Sequence, residues 1–182
     1  NLYSVGCASC HGTSGQGSSD GPSLVGIGSA AVDFQVGTGR MPAQQPGAQI
    51  PKKKVIYTQA EIDQIAAYIA SLGPGPAVPT KDQYSPTGAN AAKGGELFRT
   101  NCSQCHNFVG KGGALTEGKY APTLDGVAPQ HIYEAMQTGP QNMPSFPDST
   151  MPQENKADII AYLHEVDSSK TSNPGGLSLG SI

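Results

Sequence analysis

The chain has 182 residues, enough for one ordinary domain or for two small ones of roughly 90 residues each. Hydrophobic residues make up 36%, aromatic residues 6%, and Trp is absent, so the chain can bury only a modest core and a large apolar cofactor would help to fill it. The formal net charge is -3, and no stripe of Lys and Arg alternates with aromatic residues, which argues against nucleic-acid binding. No stretch of about 18 apolar residues and no signal-peptide pattern occurs, so we expect no membrane span here and interpret the sequence as a mature chain or a fragment.

The first motif in the chain is CASCH at residues 7–11, and it recurs as CSQCH at residues 102–106, 95 residues later. The similarity extends upstream, because LYSVGC at 2–7 matches LFRTNC at 97–102. The sequence therefore contains two copies of one unit.

Each copy continues through a loop rich in Gly and Pro to a Thr-Gly and then a Met-Pro, in VDFQVGTGRMP at 32–42 and in IYEAMQTGPQNMP at 132–144. An amphipathic helix closes each copy. Thr58 and Glu61 form a capping box for the first, and Gly73 with Pro74 ends it. Thr150 with Gln153 is the predicted start of the second. The predicted core positions are Ile62, Ile65, Ala66 and Ile69 in the first helix, and Ile159, Tyr162, Leu163 and Val166 in the second.

These patterns predict a mainly α protein with two tandem domains, each made of a few helices around one cofactor and joined by long Gly/Pro-rich loops. Residues 74–89 lack periodicity and are dense in Pro and Gly, which is typical of a linker. We therefore predict domains at 1–73 and 90–167, with a flexible tail at 168–182.

The Cys-x-x-Cys-His motif is used by several chemistries. A zinc ribbon usually has its second pair about 15–20 residues after the first, whereas 91 residues separate Cys10 from Cys102. A thioredoxin-type dithiol normally sits in a βαβ context and has no need of the adjacent His. If the cysteines formed disulfides or were inert buried thiols, the histidine that follows the second cysteine in both copies would have no explanation.

Covalent attachment of haem c explains every element of the motif. Two cysteines one helical turn apart can form thioethers with one edge of the porphyrin, and the adjacent imidazole can bind iron. Since this attachment takes place outside the cytoplasm, we expect the chain to work there. The residues concerned are Cys7, Cys10 and His11 in the first copy, and Cys102, Cys105 and His106 in the second.

Met41 and Met143, the two Met-Pro residues, are the candidate sixth ligands, because a His/Met pair closes the iron and raises its potential. Met136 aligns with Val36 and is interpreted as a core residue, and Met151 is a weaker rival of Met143. His131 is expected to be a solvated or capping residue, and His164 to lie at the surface.

Arg40, next to Met41, is either a partner for a haem propionate or a solvated side chain. PKKKV at 51–55 is interpreted as a solvated loop that could also serve as a docking patch.

The chain resembles a tandem of class I cytochrome c domains and, more closely, the dihaem cytochrome cc subunits of actinobacterial cytochrome bc complexes. The resemblance covers nearly all of the chain. It rests on GCASCHG and GTGRMPAQQPGAQIPKK in the first copy, and on GGALTEGKYAPTL, TGPQNMPSFPD and DIIAYL in the second. In such domains a proline carbonyl accepts the N–H of the axial imidazole, which implies this role for Pro22 and Pro122. The alternative is that these two prolines only shape a turn.

The resemblance implies a dihaem electron carrier. Electrons would come from the Rieske iron–sulfur protein of a quinol-oxidising bc complex, with its cytochrome b as a neighbour. They would leave for the dinuclear copper centre of a haem–copper oxidase in a supercomplex. It also implies a place on the extracytoplasmic face of the membrane, with an anchor outside this sequence.

We expect no catalytic site in the chain itself, although a dihaem enzyme of the peroxidase or thiosulfate-oxidising type stays an alternative, as does a haem-based gas sensor. Either would leave one iron open or bind it by something other than Met. A Met-Pro in both copies favours the carrier.

Overall fold

The structure is a computed structural model that describes residues 2–47 and 49–172. One compact unit comprises the residues up to Pro79 together with Glu134–Pro147, and the other comprises Thr80–Tyr133 and the residues from Asp148. The predicted domain boundaries at 73, 89 and 167 concern the two copies of the repeat and stay a prediction.

The described residues are mainly helical, as predicted. Two short strands pair antiparallel, with Gly113 opposite Ala121 and Ala114 opposite Tyr120. None of the helices in this part of the chain is long and apolar enough to cross a membrane. In chain order the elements are α1 (Leu2–Gly6), α2 (Ala8–His11), α3 (Gly28–Gly37), α4 (Gln59–Ala70), α5 (Lys81–Tyr84), α6 (Ala91–Asn101), α7 (Ser103–His106), β1 (Gly113–Ala114), a 3-10 turn (Thr116–Gly118), β2 (Tyr120–Ala121), α8 (Pro129–Thr138) and α9 (Gln153–Ser172).

The first unit is built around the packing of α3 on α4, with α1 against the same face. The predicted capping box is confirmed, because the Thr58 side chain accepts from the Glu61 amide and the Glu61 carboxylate accepts from the Thr58 amide at 2.8 Å. All four predicted core positions of α4 are buried. The apolar cluster consists of Tyr3, Val32, Val36, Ile62, Ile65, Ala66 and Ile69.

The second unit depends on a close crossing of α6 and α9. Gly94 lies directly against the backbone of Asp158, so close that a Cβ at Gly94 would come within 1.8 Å of the Asp158 carbonyl oxygen. The Asp158 carboxylate accepts from the amide of Asn90 at 2.7 Å and pairs with Lys93 at 3.3 Å. The first turn of α6 is therefore fixed to the second turn of α9 by backbone contact and by charge.

The closing helix differs from its prediction at both ends. It begins at Gln153 rather than near Thr150, because the residue before a proline disfavours helical angles and Pro152 precedes Gln153. It continues to Ser172, five residues into the predicted tail, because no Gly or Pro interrupts the sequence before Asn173. The remainder of the predicted tail, residues 173–182, lies outside the described residues.

The predicted linker is fastened to both units. In the first unit Ala30 donates to the Pro76 carbonyl at 3.1 Å, and Val78 donates to the Ser29 hydroxyl at 3.1 Å. In the second unit the linker forms α5, capped by Thr80 and packed on α9. Residues 74–89 are thus ordered by packing that their own sequence does not reveal.

Replacing Gly94 by Ala should destabilise the second unit by about 3 kcal/mol, the upper end of the usual cost of overpacking. The added methyl group meets backbone, which is unable to move aside. Gly95→Ala is the matched control, since its Cβ would meet only side-chain atoms of Arg99 and Tyr162 at 3.1 Å. Denaturant unfolding of both variants measures the difference, and equal stabilities would contradict the proposed close crossing.

The second unit also buries a tyrosine that should make its stability depend on alkaline pH. Burial and the Asp148 carboxylate raise the pKa of Tyr133 to about 12, and the described residues offer its hydroxyl no hydrogen-bond partner. The folded-state pKa of Tyr133 lies above the unfolded value of about 10. The protonated tyrosine therefore contributes fully to the free energy of unfolding below about pH 10, and this contribution is lost as the pH rises toward 12.

The variant Tyr133→Phe should match or exceed the parent in stability at neutral pH, and lose less stability above about pH 10. Urea unfolding at several pH values compares the slopes, with Tyr120→Phe at an exposed position as the control. A parallel alkaline decline in the parent and in Tyr133→Phe would contradict the assignment.

Candidate haem-binding sites

The first motif forms a kinked helical turn. Cys7 separates α1 from α2, with φ -131° and ψ -33°. Its carbonyl accepts from the amides of Cys10 at 3.3 Å and His11 at 3.0 Å. Both cysteines are half-buried and lie on one turn, which is the spacing that two thioethers on one porphyrin edge require.

The His11 imidazole is oriented by one hydrogen bond. It is buried, and its Nδ1 lies 2.7 Å from the carbonyl oxygen of Pro22. Since a carbonyl can only accept, Nδ1 carries the proton and Nε2 keeps a free lone pair for a metal. Gly21 allows this approach, because a Cβ there would lie 3.1 Å from Nδ1.

Met41 lies in the loop after α3, half-buried against the core of the first unit. Its amide donates to the carbonyl of Gln35 at 2.9 Å. The neighbouring Arg40 stacks on the Phe34 ring at 4.8 Å and donates to the Thr38 hydroxyl at 2.7 Å. Both contacts direct the guanidinium of Arg40 back over α3.

The second motif repeats this backbone geometry. Cys102 separates α6 from α7 with φ -122° and ψ -34°, and its carbonyl accepts from Cys105 at 3.1 Å and His106 at 2.9 Å. The Nδ1 of His106 lies 3.1 Å from the carbonyl of Pro122. The repeat therefore extends from sequence letters to the kink and to the imidazole's acceptor.

The pKa shifts suit a neutral donor set. Burial lowers the pKa of His106, more than its bond to Pro122 raises it, so the imidazole is neutral at pH 7. Burial and the neighbouring Cys105 raise the pKa of Cys102 to about 11, and burial also raises that of Cys7. Redox-active dithiols need the opposite shift, so these pKa values oppose the thioredoxin reading.

Zinc is also disfavoured by the arrangement of ligands. Across the described residues, neither cysteine pair belongs to a cluster of three ligand atoms within 4.8 Å, whereas a structural zinc site uses four. None of the four cysteines forms a disulfide in the described structure. Two cysteines on one turn, followed by a histidine whose Nδ1 is held by a proline carbonyl, fit a covalently attached haem in each copy.

The other candidate ligands are distributed as follows. Met143 is half-buried in a loop whose backbone is closed by its own amide on the Pro140 carbonyl at 3.1 Å. Met136 is buried, which confirms its reading as a core residue, and Met151 is buried just before α9. His164 is exposed, as predicted, and His131 is half-buried.

Sequence reasoning missed two residues that contact the surroundings of the first motif and of Met41. Lys53, in the segment interpreted as a solvated loop, is half-buried and donates from Nζ to the carbonyl of Pro42. Tyr57 packs over Gly6, one residue before Cys7. The only sequence signal was the closeness of PKKKV to the Met-Pro, which does not say which lysine turns inward.

Family models match both halves of the chain. Residues 1–73 match the cytochrome c model, and residues 89–163 match the model for subunit III of cbb3-type cytochrome c oxidase. Cytochrome c domains imply covalently bound haem c.

Curated relatives extend the match to nearly the whole chain. The cytochrome bc1 complex cytochrome c subunit of Corynebacterium diphtheriae is 46% identical over 199 residues, covering 100% of this chain and 69% of the relative. This chain belongs to that family of cytochrome c subunits. The Mycobacterium leprae member is 50% identical over 98% of this chain and 63% of its own length, and the Mycobacterium tuberculosis member is 49% identical over 98% and 65%.

The chain thus spans about two thirds of the length of the family members it matches (63–69%). A chain of the reducing HAO-like protein complex of Kuenenia stuttgartiensis aligns over 91% of this chain and 94% of its own, with 15% identity and a TM-score of 0.41. That likeness is too distant to carry an argument about the site.

Proposed function

We propose that this chain is a dihaem electron carrier. It accepts electrons from the Rieske iron–sulfur protein of a quinol-oxidising bc complex and passes them to the dinuclear copper centre of a haem–copper oxidase. The observation that carries the proposal is the duplicated Cys-x-x-Cys-His turn with its histidine Nδ1 on a proline carbonyl, at 2.7 Å in one copy and 3.1 Å in the other.

The proposal assigns one covalent haem c to each copy. Cys7 and Cys10 would attach the first, and His11 and Met41 would hold its iron. In the second copy Cys102 and Cys105 have the attaching role, with His106 and Met143 as ligands. Bound haem supplies a one-electron change between Fe(III) and Fe(II).

Backbone and side-chain groups of the protein would keep these ligands the same during electron transfer. The Pro22 and Pro122 carbonyls fix the imidazole planes and make the ligating nitrogens more basic. Met41 and Met143 would each supply a sulfur to an iron, which would leave no open position for a small ligand or peroxide and would raise the potential. Arg40 is proposed as a partner for a propionate, with its contacts to Phe34 and Thr38 holding the guanidinium in place.

The partners are inferred from the family. The relatives are named as subunits of the cytochrome bc1 complex. We extend this to contact with cytochrome b and the oxidase in a respiratory supercomplex, on the extracytoplasmic face of the membrane. An anchor in a segment outside these residues belongs to the same proposal.

The ligand set predicts that neither iron is open. Reduced holoprotein should show two low-spin c-type haems per chain and negligible binding of carbon monoxide, measured by pyridine haemochrome and visible spectra. Avid binding at one haem would instead favour the dihaem enzyme or the gas sensor.

The assignment of the second methionine has its own test. Met143→Ala should open only one of the two haems to carbon monoxide, because removal of the sulfur leaves that iron five-coordinate. Met151→Ala, at the buried rival, is the matched control and should change stability without opening a haem. The reverse pattern would transfer the ligand role to Met151.

The electron route is tested by mixing. A soluble Rieske fragment from the same bc complex should reduce both haems of the purified chain in stopped flow, at rates that fall with ionic strength if charge guides the encounter. If the fragment reduces neither haem while a small chemical reductant reduces both, the proposed electron route is contradicted. The assignment of two haems would not be affected.

A further inference from the structure

The first copy has an extra segment between its methionine and its closing helix. Residues 42–58 separate Met41 from α4, whereas only residues 144–152 separate Met143 from α9. Within the longer segment, residues 51–57, here called the strap, contain no helix or strand. The strap is therefore an irregular stretch that must be held by specific contacts.

One end of the strap contacts the loop that contains Met41. Gly39 has φ +72°, and a Cβ there would come within 2.0 Å of the Lys53 carbonyl oxygen, so the two backbones touch. The Lys53 Nζ reaches the Pro42 carbonyl oxygen at 2.5 Å. Lys53 thus contacts the loop on both sides of Met41, two residues before it and one residue after it.

The other end of the strap contacts Gly6, the residue before Cys7. A Cβ on Gly6 would lie 2.2 Å from the Tyr57 hydroxyl oxygen, and Tyr57 packs on the same core as Cys7. Burial, Cys7 and Glu61 raise the pKa of Tyr57, so its hydroxyl stays neutral in this contact. The strap therefore spans from the methionine loop to the end of α1, one residue before Cys7.

We propose that Lys53 is a positioning residue that holds Met41 in place as the sixth ligand of the first haem. This inference rests on the proposed assignment of Met41 as that ligand. Lys53 does not touch the iron site itself; it acts through Pro42 and Gly39. The second copy, with its shorter connection, does without such a strap.

The chemistry of lysine suits this role. A charged donor on a carbonyl makes a stronger hydrogen bond than a neutral one, and the four-carbon stem can cross over the loop and bury its methylenes. Its two neighbours behave differently. Lys52 and Lys54 are exposed, whereas Lys53 is half-buried. The structure thus distinguishes one lysine of three in a row.

The test uses the full holoprotein with three single variants. Lys53→Gln removes the ammonium, Lys53→Arg keeps a charged donor, and Lys54→Gln is the matched control at an exposed position. The readouts are the potential of each haem, carbon monoxide binding after reduction, and the upfield proton signals of the iron-bound methionine methyls. Met41→Ala identifies which signal and which potential belong to the first haem.

Lys53→Gln should shift the equilibrium between bound and released Met41 toward release by about tenfold, which corresponds to about 1.4 kcal/mol. The first haem should then lose potential and bind carbon monoxide, while the second haem in the same chain stays unchanged. Lys53→Arg should restore most of the parent behaviour. A merely structural role would alter thermal stability and leave the methionine signal and both potentials in place.

Two results would overturn the proposal, and they are distinguishable. If Lys53→Gln behaves like Lys54→Gln while the parent shows two iron-bound methionines, Lys53 does not position Met41 and the proposed function stands. If Met41→Ala removes no methionine signal from the parent spectrum, the ligand assignment fails, and the role of Lys53 fails with it.

Discussion

The hydrogen bond from a histidine Nδ1 to a proline carbonyl is the contact on which each site depends. It settles three properties of the imidazole together: the tautomer, the plane of the ring and the nitrogen that faces away from the protein. The residues before the histidine form a helical turn that begins at the first cysteine, so both cysteines and the histidine share one short stretch of helix. The cofactor becomes the part of the core that a chain with 36% hydrophobic residues does not supply for itself.

Much of this arrangement could be predicted from sequence because it is local. The Thr58 capping box and the core positions of α4 follow from spacing along one helix, and the structure confirms them. The kink at Cys7 was not predictable, since a cysteine has no strong preference that breaks a helix. Its recurrence at Cys102, with nearly the same angles, shows that the shared local sequence determines it.

Other features escaped prediction because they depend on residues far apart in the chain. Neither the ordered linker nor the inward turn of Lys53 has a signal in its own neighbourhood. The grouping of residues 134–147 with the first unit is of the same kind, because compactness is decided by packing over the whole chain. Periodicity and motifs predict one element at a time, so they do not predict contacts between residues that are far apart in the chain.

The unequal connections after the two methionines have a consequence for energy conversion. The Cys-x-x-Cys-His turns of the two copies have nearly the same backbone angles and the same histidine–proline hydrogen bond. The segments that follow the two methionines are held by different contacts, so under the proposed ligand assignment substitutions in residues 51–57 would act on the first haem and leave the second unchanged. Under that proposal, a carrier with two haems could acquire a difference in potential between them, and with it a preferred direction of electron flow, without any change to the ligands themselves.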